Sequence, residues 1–142
     1  MTLHSYAVRM LGALALLGCC DPSGLAVRPA HAEPSRGASW GAIASVDNWY
    51  GYAFNFPSRD AAELAARSRC ERAAGGKGRG GACVVRTYFD RSCGALARGN
   101  YGEWGTAVAA TASEAAKAAA GQCETHLPTE PCKVVVSVCS PG

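Results

Sequence analysis

The sequence predicts a small single α+β domain: two strand-helix-strand repeats, with two helices against an antiparallel or mixed sheet, stapled by disulfides. Three observations predict it. An alanine-rich helical segment ending in a cysteine occurs twice, a β-branched run opening with or just after a cysteine follows each, and six cysteines lie beyond residue 69. A chain of 142 residues has room for one domain or two very small half-domains sharing a core. Its hydrophobic fraction of 49% is largely alanine, and three Phe, five Tyr and three Trp supply most of the bulk. Alanine contributes little area to a core, so a chain this small and glycine-rich needs cross-links to offset conformational entropy.

Residues 1–32 read as a targeting segment. Arg9 gives a positive end, Met10 to Cys20 form an apolar run, and Ala30-His31-Ala32 ahead of Glu33 is a small-residue cleavage pattern. That run is shorter than the roughly 20 residues a membrane-spanning helix needs. The expected organisation is therefore a signal peptide over 1–32, a short linker over 33–39 and a domain over 40–142, exported to the periplasm or secreted. The alternative is lipoprotein processing, because Leu16-Leu17-Gly18-Cys19 resembles a lipobox and would leave the chain lipid-anchored at Cys19.

Removal of Cys19 and Cys20 leaves Cys70, Cys83, Cys93, Cys123, Cys132 and Cys139, an even set in an oxidising compartment, which is a disulfide framework. Zinc is disfavoured, because no Cys-x-x-Cys pair is present and His126 is the only histidine of the domain. Spacing alone leaves the connectivity open, but an internal repeat narrows it. Ser58 to Cys70 (SRDAAELAARSRC) aligns with Thr111 to Cys123 (TASEAAKAAAGQC), Trp40-Gly41-Ala42-Ile43-Ala44 resembles Trp104-Gly105-Thr106-Ala107-Val108, and Cys83-Val84-Val85 resembles Cys132-Lys133-Val134-Val135. Symmetry then pairs Cys70 with Cys83 and Cys123 with Cys132, each tying a helix end to the next strand, and leaves Cys93 and Cys139 to join across the halves.

Local signals agree with this division. Ser58 and Thr111 (or Ser113) can cap the helix starts, with Asp60, Glu63 and Glu114 near the positive ends. Glycine- and proline-containing loops, Gly75 to Gly81 and Leu127 to Pro131, end the helices, and Ala82 to Phe89 and Cys132 to Cys139 read as strands.

The ordered series Trp40-Gly41-Ala42-Ile43-Ala44, Gly51-Tyr52-Ala53-Phe54-Asn55-Phe56-Pro57-Ser58-Arg59, Cys83-Val84-Val85 and Ser92-Cys93-Gly94-Ala95-Leu96-Ala97 resembles the bacterial family called domain of unknown function 4189, over about residues 40–139. The resemblance implies an exported protein and a fold relationship; it implies no mechanism. The Gly75 to Gly81 insertion departs from shorter members.

The search for chemistry returns mostly negatives. His126, in a loop beside a cysteine, is the only base for a Ser-His-Asp or Cys-His arrangement. The acids Asp47, Asp90 and Glu103 are scattered, whereas glycoside hydrolysis needs a facing pair. Gly75-Gly76-Lys77 lacks the rest of a phosphate loop. Two features carry more weight. Trp49 to Pro57 holds five aromatics, of which Tyr50, Tyr52, Phe54 and Phe56 alternate as on one face of a strand, with Trp49 out of step and the better candidate for exposure. Such a face is either core or a platform for a protein or glycan partner. Arg67, Arg69, Arg72, Lys77, Arg79 and Arg86 form a basic stretch interrupted by Glu71 alone. Without Arg9, Arg28 and Asp21 of the leader, 12 basic and 10 acidic residues remain, a net charge of +2 that gives nucleic acid no support.

The expectation is a non-enzymatic binding module without cofactor or metal. Its candidate binding residues are Trp49, Tyr50, Tyr52, Asn55, Arg69, Arg72, Lys77 and Arg79, and its partner an envelope component, an inhibited enzyme or a host factor. A glycan- or wall-acting enzyme using carboxylates and a structural stress protein of the envelope are the alternatives.

Overall fold

A computed structural model describes residues 37–75 and 82–141. The leader and most of the linker lie outside the described residues, as do Lys77 and Arg79. The elements run β1 (Trp40–Val46), β2 (Trp49–Phe56), α1 (Arg59–Ala74), β3 (Val84–Asp90), β4 (Cys93–Arg98), β5 (Trp104–Ala109), α2 (Ala112–Glu124) and β6 (Lys133–Cys139). They form two antiparallel three-stranded sheets, ordered β2-β1-β3 and β5-β4-β6. Each strand-helix-strand repeat is thus preceded by one more strand, which becomes the centre of its sheet. The chain is an α+β domain with one sheet per repeat.

The helices begin and end where the sequence supplies caps. Ser58 Oγ accepts the Ala61 amide at 3.2 Å, and Gly75 closes α1 in the left-handed region at φ 51°. Thr111 and Glu114 cap α2 reciprocally, side chain to backbone amide in both directions. Ala62, Ala66, Cys70 and Ala74 form the buried stripe of α1, and Ala115, Ala119 and Cys123 that of α2, at intervals of four. Against these stripes lie Gly51 of β2 and Gly105 of β5. A Cβ at Gly51 would collide with backbone atoms of Ala66 and Cys70, and one at Gly105 with backbone atoms of Ala119 and Cys123. Helix backbone therefore rests directly on strand backbone in both halves.

These contacts set the true register of the repeat. Gly51 corresponds to Gly105, so Tyr50-Gly51 matches Trp104-Gly105, and the counterpart of β1 is β4. The sequence alignment of Trp40-Gly41 with Trp104-Gly105 is corrected accordingly. Both halves carry the same bulge between central and third strand, at Ile43/Ala44 and Leu96/Ala97.

The sheets face each other through Ile43, Phe89 and Leu96, with the helices on the outer sides. Strand alternation sends Ala42 and Ala44 toward α1, and Ile43 toward the second sheet. The Phe89 ring occupies the space a side chain would need at both Gly41 and Gly94, which are equivalent positions of the two halves.

Disulfides link Cys70 to Cys83, Cys123 to Cys132 and Cys93 to Cys139. The first two tie each helix to the strand after it, with Cα separations of 6.1 Å in both. The third does not join the halves. Cys93 and Cys139 are directly opposed residues of β4 and β6 in the second sheet, 3.9 Å apart at Cα. Their counterparts in the first sheet are the opposed pair Trp40 and Asp90. What joins the ends of the domain is a hydrogen-bonded latch. Ser39 Oγ donates to the Pro141 carbonyl at 2.7 Å and lies 3.1 Å from the fully buried Ser140 Oγ, which accepts the Asn55 amide at 2.8 Å.

Candidate functional site

The aromatic run of β2 is divided between three environments. Trp49 packs against the cluster under α1, so its expected exposure is not found; it is half-buried. Tyr50 packs between the sheets beside Ile43, Phe89 and Leu96. Tyr52 and Phe54 leave the inter-sheet face of an edge strand and remain open, 38% and 42% exposed. Their rings stack with centroids 6.4 Å apart and planes 14° from parallel. Phe56 should share this face by alternation, but Asn55 takes the left-handed conformation at φ 60° in a bulge and turns Phe56 onto the helix-side core. Asn55 belongs to the latch: its side-chain oxygen accepts from Ser39 Oγ at 3.2 Å.

Arg69 of α1 reaches back over β2 and donates to the Tyr52 carbonyl, next to the exposed pair. Arg72 is also exposed but bonds Ser68 Oγ on its own helix at 2.7 Å. The structure thus stacks Tyr52 on Phe54, brings Arg69 to the Tyr52 backbone from the helix side, and gives Trp49, Tyr50, Asn55 and Arg72 other partners. Phe54 entered the sequence reading only as part of the alternating run. Its exposure follows from the edge position of β2, which alternation does not reveal.

The residues weighed for catalysis have structural partners. Asp90 accepts the Ser39 amide at 3.2 Å and pairs with Arg91 at 3.0 Å. Glu103 accepts the Tyr101 amide at 2.8 Å within the loop between β4 and β5. His126 is exposed, with Nδ1 3.2 Å from the Gln122 carbonyl. Among the described residues no group of three or more His, Cys, Asp or Glu is placed to hold a metal ion. A shallow depression of about 350 Å³ lies between the end of α2 and β6, lined by Glu124, Leu127, Pro128, Thr129, Glu130 and Pro131. Its lining includes two carboxylates and no histidine, lysine or arginine.

A second cluster joins residues of both halves beside the β1–β2 turn. Arg86 of β3 donates to Ser45 Oγ at 3.0 Å and lies over the Trp104 ring of β5, 4.6 Å from its centroid. In return, Arg98 of β4 donates to Asn48 Oδ1 at 3.2 Å. Burial lowers the pKa of Arg98 from its ordinary value, the charge of Arg86 lowers it further, and Asp47 and Tyr50 act in the opposite direction, Asp47 ahead of Arg86 in weight. In the sequence Arg86 belongs to a basic stretch, and nothing in the spacing marks Arg98.

The family model described as domain of unknown function (DUF4189) matches residues 40–139. Among solved structures, the chain is similar to the NMR structure of Rv1813c from Mycobacterium tuberculosis. The TM-score is 0.50 and the identity 21%, over 98% of this chain and 99% of that one. No curated protein matches.

Proposed function

The chain belongs to the DUF4189 family, and from that premise we propose that it is an exported, non-catalytic binding module that takes a protein or glycan partner on Tyr52 and Phe54. The observation that carries this reading is the stacked, open aromatic pair on an edge strand. Large apolar rings left in water on a small domain are stabilised by a partner that covers them. Arg69, bonded to the strand between them and the helix, supplies a polar rim. The strand is held by the glycine contact with α1, and α1 by the Cys70–Cys83 disulfide, so little ordering remains to be lost on binding. The disulfides are consistent with export, and no described helix is long and apolar enough to cross a membrane. The structural engagement of Asp90 and Glu103 favours a binding role over a carboxylate hydrolase.

The test compares the oxidised protein with its Tyr52→Ser/Phe54→Ser variant for binding to isolated envelope proteins and to a glycan array. Loss of about 10-fold in affinity with an unchanged melting temperature is expected. Unchanged binding by the variant, together with hydrolase activity that disappears in Asp90→Asn or His126→Ala, would replace this reading with the enzymatic one.

A further inference from the structure

We propose that Arg86 and Arg98 form a clasp for a phosphate group beside the β1–β2 turn, with Trp104 as its wall. This site is separate from the aromatic pair and does not depend on the role proposed for it.

The argument begins with how the two guanidiniums are held. Each crosses from its own half to the other: Arg86 onto Trp104, and Arg98 onto Asn48. Each is half-buried. Arg86 donates to Ser45 Oγ and Arg98 to Asn48 Oδ1, neutral oxygens that fix the direction of each fork. Lys133, opposite Arg98 in the sheet register, leaves the sheet on the same side. Asp47 is the carboxylate that acts on Arg98 here, against the two guanidiniums. The result is an excess of positive charge in a partly desolvated place, where an anion gains most.

The geometry also selects the anion. Arg86 is held over an indole and bonded to Ser45, and Arg98 is tied to a turn, so both forks are oriented before a ligand arrives. They come from two different sheets, which suits a tetrahedral group with oxygens pointing several ways better than a planar carboxylate. Trp104 is 38% exposed, so part of its ring remains available beside the guanidinium. The symmetry of the fold supports a selected feature. Arg86 stands where the second half has Val135, and Arg98 where the first half has Ser45. Each half supplies one arginine, from non-equivalent positions, to the same spot.

The test titrates the full oxidised chain with inorganic phosphate at constant ionic strength, following the arginine Nε–H and Trp104 indole resonances. Saturable shifts confined to Arg86, Arg98 and Trp104 are expected. Arg86→Gln or Arg98→Gln should weaken binding about 10-fold, as loss of one charged hydrogen-bonding partner does. Asp47→Asn should tighten it, whereas a cluster that only holds the halves together would gain nothing. Arg86→Lys, which keeps a cation over Trp104, serves if the glutamine variant is unfolded, and should bind several-fold more weakly than the parent by losing the fork. A second arm sediments the protein with phosphatidylglycerol vesicles against phosphatidylcholine vesicles. Arg86-dependent binding to the anionic vesicles alone assigns a lipid headgroup, and saturation by phosphate without vesicle binding assigns a free phosphate. Saturation by neither probe, or equal binding by folded arginine variants, overturns the proposal.

Discussion

The two halves of this domain share a plan and differ in how each holds its central strand to the third. In the second half that pair ends in the Cys93–Cys139 disulfide; in the first, the same positions are Trp40 and Asp90. One bond in each is preserved regardless: Arg91 donates its amide to the Ser39 carbonyl, as Ser140 does to that of Ser92, at 3.1 and 2.9 Å. The backbone arrangement therefore does not require the cross-link. The difference lies in bulk. Trp40 lies against Tyr88, 6.3 Å between centroids, with Arg59 over the Tyr88 ring at 3.4 Å, whereas the core of the second half is built of alanine and cysteine. A half without aromatics in its core is held by a covalent bond instead, which constrains the unfolded chain where burial is small.

Four sets of variants break or sharpen this comparison. Replacing Cys93 and Cys139 by alanine opens the disulfide of largest sequence separation, 46 residues against 13 and 9 for the others, and should cost about 4 kcal/mol in the chain-entropy model. Denaturant unfolding of the three double variants should rank them in that order. Phe89→Val, which gives the first half the valine that Val138 is in the second, empties the space between Gly41 and Gly94 and should cost about 2–3 kcal/mol. Gly51→Ala and Gly105→Ala both push a helix off its strand and should each lose about 1–3 kcal/mol, equally if the halves pack alike. The smallest contrast is between Ser58→Ala and Thr111→Ala. Each should cost about 1 kcal/mol, with Thr111 the larger because its removal also undoes the reciprocal bond with Glu114.

The helices and third strands were legible in the sequence because their signals are local: caps, alanine at intervals of four, and β-branched runs after each cysteine. The two central strands were harder to place. β4 reads Cys-Gly-Ala-Leu-Ala-Arg, which carries little strand propensity, because a strand covered on one face by helix backbone and on the other by a second sheet is selected for smallness. That same smallness misled the internal alignment. Trp40-Gly41 and Trp104-Gly105 look alike, but Gly41 makes room for the Phe89 ring and Gly105 for helix backbone. Identical residues serve different neighbours, and only packing separates them.

The candidate site was legible in part for a related reason. Alternation placed Tyr50, Tyr52 and Phe54 on one face of β2, yet whether that face is covered depends on which strand is at the edge, and Asn55 reverses the pattern before Phe56. Arg86 and Arg98 come from different halves and meet through the stacking of two sheets, a relation that no spacing within either repeat records.

Phe89 has a consequence for how such a domain can be assembled from its parts. The two halves offer two equivalent notches, Gly41 and Gly94, and a single ring fills both. Pairing two copies of the first half would bring two phenylalanines to a space that holds one, and pairing two copies of the second would bring none. Once that ring was in place, the halves ceased to be interchangeable, and the doubled architecture became one that works only as a pair of unlike members in a single chain.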